Sequence, residues 1–160
     1  MTIDGLPAHP LLVHAVVVLF PLAAVGTLAV AARPVWRRNF GIPVFLVALV
    51  GLIAVPLTTM TGEQLKTALG GGGPLVEAHE QRAEHLLPYA VVFVVLLLAT
   101  LLLGRRADRT GGAGAVRSTS WLATSVAVLA ALAGLVVTGL VIWIGDAGAR
   151  AVWQGVGTGG

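Results

Sequence analysis

Cysteine is absent from the 160 residues, which excludes disulfides, thiolate nucleophiles, cysteine-ligated zinc and iron–sulfur clusters. Charge is scarce too: 11% of residues are Asp, Glu, Lys or Arg, against about 25% in an ordinary soluble domain. Lys66 is the only lysine. The pI is near 10.6, but a net charge of +3 spread over loops, without a basic stripe, makes no nucleic-acid footprint. Nucleic acid is not an expected partner.

What the chain has in quantity is hydrophobic length. Hydrophobic residues make up 57% of it, and the mean hydropathy is +0.93. Apolar windows fall at roughly residues 10–32, 40–60, 86–104 and 119–144, each about the length that crosses a hydrocarbon core near 30 Å thick. The fold class that follows is all-α: an integral membrane four-helix bundle in a single transmembrane domain over residues 1–160. The bilayer is its first partner. Nothing basic precedes the first run, Asp4 does, and the run outlasts the apolar region of about 7–15 residues found in a secretory signal, so it is expected to be retained. Predominance of Ala, Val, Leu and Gly, with arginine greatly outnumbering lysine, hints at a GC-rich bacterial genome, and hence at a bacterial plasma membrane.

Orientation follows from the basic residues, which stay cytoplasmic during insertion. Arg33, Arg37, Arg38, Arg105, Arg106, Arg109 and Arg117 occupy the first and third loops, with Asp108 the one acid among them. Asp4, Glu63, Glu77, Glu80, Glu84 and Asp146 lie in the other segments. Both termini are therefore expected on the non-cytoplasmic side. Aromatic rings that prefer the interface agree, with Trp36 and Trp121 at one boundary and Tyr89, Trp143 and Trp153 at the other.

Local punctuation fills in the rest. Pro21 and Pro56 fall inside spans and are expected to kink them. Ala130, Gly134 and Thr138, at four-residue spacing, mark a face of the fourth span suited to close packing. Gly70 to Gly73 and Pro74 read as a flexible break, followed by a short polar helix over Leu75 to Leu87 at the outer membrane surface. Thr110 to Ser120 reads as a Gly-rich connector, and Gly155 to Gly160 as a disordered tail. No internal repeat is legible.

The candidate site lies at the outer side, where all four histidines fall. Ionisable groups in or beside membrane segments are costly and mark functional positions. His14 sits about one turn inside the first span among apolar neighbours, with nothing local to pair with, so a partner from another helix is expected. His9 precedes Pro10, and five residues separate it from His14, placing the two on different faces. Glu63 follows the second span and Asp146 the fourth. His79 and His85 also diverge on a helix, so one of them points inward.

These residues carry a resemblance. His9-Pro10-Leu11-Leu12-Val13-His14 opens the first helix, Gly62-Glu63 closes the second, His79 precedes the third, and Gly145-Asp146-Ala147-Gly148-Ala149-Arg150-Ala151-Val152-Trp153 follows the fourth. In these elements the chain resembles the bacterial predicted membrane proteins of domain of unknown function 2231. The resemblance implies a small four-helix protein with His9, His14, Glu63, His79 and Asp146 as its marked positions, and implies no activity. Relatives often have Phe-Pro after the second histidine and sometimes a histidine near Asp146; this chain has Ala15-Val16 and an acid.

Three functions compete. One is an accessory or structural subunit, partnered by a membrane protein or a second copy, whose polar cluster locks the helices. Another is a redox protein holding b-type haem through His14 and His79, since haem takes two imidazoles facing across a bundle. The third is a proton or divalent-metal transport or sensing site, with His14, Glu63, His79 and Asp146 as ligands. An enzyme is not expected: Ser118, Ser120 and Ser125 lie on the side opposite every histidine, out of reach of a base.

Overall fold

The computed structural model describes residues 2–3, 6–109 and 115–153. Five helices follow one another: α1 (Ala8–Ala32), α2 (Pro34–Ala68), α3 (Pro74–Glu84), α4 (Leu86–Arg109) and α5 (Ala115–Trp153). A two-residue antiparallel ladder precedes them, β1 (Thr2–Ile3) against β2 (Leu6–Pro7). Four helical stretches are long and apolar enough to cross a membrane: Ala8–Ala32, Val35–Ala68, Pro74–Ala107 and Trp121–Trp153. In each, between 28% and 39% of the most apolar window is buried in the bundle, so most of these side chains face outward and require lipid. Val18, Val25 and Ile142 are among them.

The helices form two antiparallel hairpins, α1 with α2 and α4 with α5, and α1 also packs on α5 and α2 on α4. Among the described residues, two reversals have a local cause. Arg33 is extended, with φ −135° and ψ 112°, because the ring of Pro34 disfavours helical backbone in the residue before it. Pro34 then starts α2, its fixed φ suiting a first helical position. At the far end of α2, Gly70 and Gly71 take φ of 79° and 113°, a left-handed turn that glycine adopts without strain. The Gly71 N–H reaches back to the Lys66 carbonyl at 3.0 Å. The expected flexible break is thus a built turn, with Pro74 starting α3.

Phe20, Phe93, Leu97 and Val137 form the fully buried centre. Backbones approach closely where glycine allows it. A Cβ on Gly26 would stand 2.6 Å from Val44 Cγ2, and one on Gly134 would stand 2.9 Å from the Phe93 ring. Ala130 is fully buried, so the small-residue face of α5 does look into the bundle. The buried hydroxyls of Thr27 and Thr100 donate to Ala23 and Leu96 on their own helices, at 2.7 and 2.9 Å. These two buried hydroxyls thus bond within their own helices rather than between helices.

Helix ends depart from the expected spans in one consistent way: the helices run on past the apolar windows. At about 1.5 Å per residue, the 35 residues of α2 extend roughly 52 Å, well beyond a core of about 30 Å. Glu63 and Asp146 therefore sit within α2 and α5, not in loops after them. Helix also covers residues 115–120 of the expected connector, while residues 110–114 and the tail 154–160 lie outside the described residues. The two ends of the bundle differ in chemistry. Arg33, Arg37, Arg38 and Arg105 mark one, the arginine end; His9, His79 and the last turns of α2 and α5 mark the other, the histidine end.

Candidate functional site

At the histidine end, His9 opens α1 and turns toward α2. Its Nδ1 lies 2.9 Å from the carbonyl oxygen of Thr58, and its ring rests on Gly62. A Cβ on Gly62 would stand 3.0 Å from His9 Cε1 and 3.2 Å from Nδ1, so the absence of a side chain makes room for the imidazole. A carbonyl can only accept, so Nδ1 carries the proton and donates.

The second hairpin repeats this arrangement. His79, on α3, stands 3.0 Å through Nδ1 from the carbonyl oxygen of Ile144 on α5. Its ring rests on Gly148, where a Cβ would stand 3.1 Å from both Cε1 and Nδ1. In each case a histidine near the start of a hairpin's first membrane-spanning stretch bonds a carbonyl on its second, and a glycine four residues further along that helix receives the ring. Thr58 and Gly62, like Ile144 and Gly148, are neighbours one turn apart on a single helix face.

α3 is fastened at further points. Arg82 donates through Nη1 to the Trp143 carbonyl at 3.3 Å, and its guanidinium lies 4.6 Å from the centre of the Trp143 ring. Lys66 of α2 bridges to Glu80 at 2.6 Å. The short helix so joins the ends of α2 and α5.

The remaining candidates are placed otherwise. His14 is exposed on the outward face of α1, and its Nδ1 engages the Pro10 carbonyl of the same helix at 2.6 Å. The expected partner from another helix is replaced by a local one, since the carbonyl four residues earlier lies within reach of the ring. Asp146 is exposed and pairs with Arg150 Nε at 3.0 Å, an i,i+4 pair on α5. Glu63 is exposed, as is His85, so His79 is the inward member of that pair. Among the described residues, no three His, Cys, Asp or Glu side chains stand close enough together to hold a metal ion.

Residues 5–159 match the family model of predicted membrane proteins called domain of unknown function 2231. The chain belongs to that family. No curated protein and no solved structure matches it. The geometry organises the four sequence elements that carried the resemblance to domain of unknown function 2231. The His9 element meets the Gly62 element, and His79 meets the segment that contains Gly148. They are two halves of two contacts. Sequence reading marked the acids Glu63 and Asp146 in these segments, whereas the glycines and the carbonyls one turn before them receive the histidines. Glycine in a helix facing a histidine elsewhere was the available signal, and only the partner's position gives it meaning.

Proposed function

We propose that the chain is an accessory or structural subunit of a bacterial plasma membrane assembly, with both termini on the non-cytoplasmic side and without catalytic activity of its own. The observation that carries this reading is the use of the inward histidines. His9 and His79 both spend Nδ1 on a backbone carbonyl of a neighbouring helix, which is how polar side chains bind helices together in lipid. An outer face locked in this way offers a fixed surface to a partner membrane protein or a second copy. The test is to purify wild type, His9→Ala and His79→Ala in mild detergent. Lower stability in both variants, with no change in absorption spectrum or metal content, supports the reading. A coloured or stoichiometrically metallated wild type that loses its cofactor in either variant refutes it.

A second reading has one supporting observation. In the neutral ring, a proton fixed on Nδ1 by a carbonyl leaves Nε2 with its lone pair, the tautomer that ligates haem or metal. His14 and His79 both meet that condition. A visible absorption band that disappears in His14→Ala would establish a b-type haem. Divalent-metal or proton transport through His14, Glu63, His79 and Asp146 has less support, since Asp146 is paired with Arg150 and His14 faces outward.

A further inference from the structure

We propose that the arginine end binds the phosphodiester of an anionic phospholipid between α2 and α4. A cavity of about 30 Å³ there is lined by Arg37, Arg38 and Ile42 of α2 and by Leu101, Gly104 and Arg105 of α4. Three of these described lining residues carry guanidinium groups and none is acidic. The packing that makes the cavity depends on two glycines. A Cβ on Gly41 would stand 2.5 Å from Leu101 Cδ2, and one on Gly104 would run into Nε of Arg37. The helices close on each other at these points, and the Arg37 guanidinium is laid across the α4 backbone instead of extending into water. Arg37 is half-buried, while Arg38 and Arg105 stand exposed around it.

Arg37 and Arg105 bring two like charges to one concavity, and an anion of matching shape relieves their repulsion. Guanidinium forks match phosphate oxygens in pairs of parallel hydrogen bonds. A cavity with room for about one water admits phosphate oxygens while the rest of the group stays at the rim. Ile42 of the lining is exposed, as are Leu46 one turn further along α2 and Leu102 of α4, a surface for acyl chains below a bound headgroup. The sequence favours the same ligand, since the first and third interhelical segments carry Arg33, Arg37, Arg38, Arg105, Arg106, Arg109 and Arg117 against Asp108 alone. Basic pockets between transmembrane helices recognise anionic headgroups in this way. This inference does not rest on the histidine contacts.

The experiment reconstitutes the full chain in nanodiscs of equal phosphatidylglycerol and phosphatidylcholine and reads the lipid retained by native mass spectrometry. Wild type is expected to retain phosphatidylglycerol preferentially. Arg37→Ala and Arg105→Ala should each lower that preference about fivefold, and together roughly 25-fold, at about 1 kcal/mol per arginine near the surface. Arg33→Ala removes the same charge from a side chain stacked on Trp36 at 5.0 Å, and should change the preference less than about twofold. An unchanged preference in the double variant would overturn the proposal, as would an equal loss in Arg33→Ala, which would reduce the effect to surface charge. Inorganic phosphate competing the lipid away with the same arginine dependence would reassign the cavity to a free anion and overturn the lipid assignment. If Arg37→Ala does not fold, Arg105→Ala on the exposed rim decides alone.

Discussion

At the histidine end, two imidazoles reach across to the backbone carbonyls of Thr58 and Ile144 and rest on Gly62 and Gly148, whereas at the arginine end long charged side chains lie over Gly104 and around a small cavity. Glycine makes room in both places, for opposite purposes. An imidazole held by a directional bond to a carbonyl fixes the register of one helix against another. A guanidinium at the end of a flexible stem fixes little and keeps its charge available to an anion. The difference shows that a close contact on a glycine acquires meaning from the stiffness of the group that occupies it.

Substitution at the glycines breaks this contrast most sharply. Gly148→Val should destabilise the protein by roughly 1–3 kcal/mol, the range for overpacking, because the added atoms meet a ring that is tied to Ile144. Gly62→Val should behave alike through His9. Unfolding midpoints in mixed detergent micelles measure this, and wild-type stability in both variants would remove the histidine contacts as structural devices.

Smaller effects follow from deleting the rings. His9→Ala and His79→Ala should each cost about 1 kcal/mol, the net worth of a hydrogen bond, near the value of about 0.6 kcal/mol averaged for polar contacts between membrane helices. The two sites belong to different hairpins and share no partner, so their effects should add. Strong non-additivity in the double variant would mean that the hairpins act as one latch.

Arg82→Ala should cost about 0.5–1 kcal/mol, the contribution of an exposed cation–π pair, and should loosen α3 from α5, visible as faster amide exchange in α3. Gly104→Ala is the sharpest comparison. Its added Cβ would overlap its neighbour more severely than one on Gly148, yet the cost should stay within about 0.5 kcal/mol, because the flexible end of the half-buried Arg37 side chain swings aside. A large loss there would show Arg37 to be as rigid as the histidines. His14→Ala should be the mildest, within about 0.5 kcal/mol, since its bond is local and its ring exposed.

The family-marked residues were readable in the chain, but their pairing was not. His9, Gly62, His79 and Gly148 are separated by tens of residues, and nothing in their local spacing says that the first meets the second and the third meets the fourth. His14 drew attention because it stands among apolar residues, but a ring beside a helix carbonyl needs no distant partner. Glu63 and Asp146 drew attention as acids near a boundary. With both helices running on past the apolar windows, these acids stand on exposed faces, and the adjoining glycines make the contacts.

Sequence by itself determined the all-α class and the four apolar stretches, because a backbone in lipid must satisfy its own hydrogen bonds and helix length is set by bilayer thickness. It also determined the separation of arginine from histidine along the chain. Tertiary structure decided which histidine turns inward, which carbonyl receives it and which glycine yields the space. Those are matters of a few tenths of an ångström between helices distant in sequence, and only the packed bundle sets them.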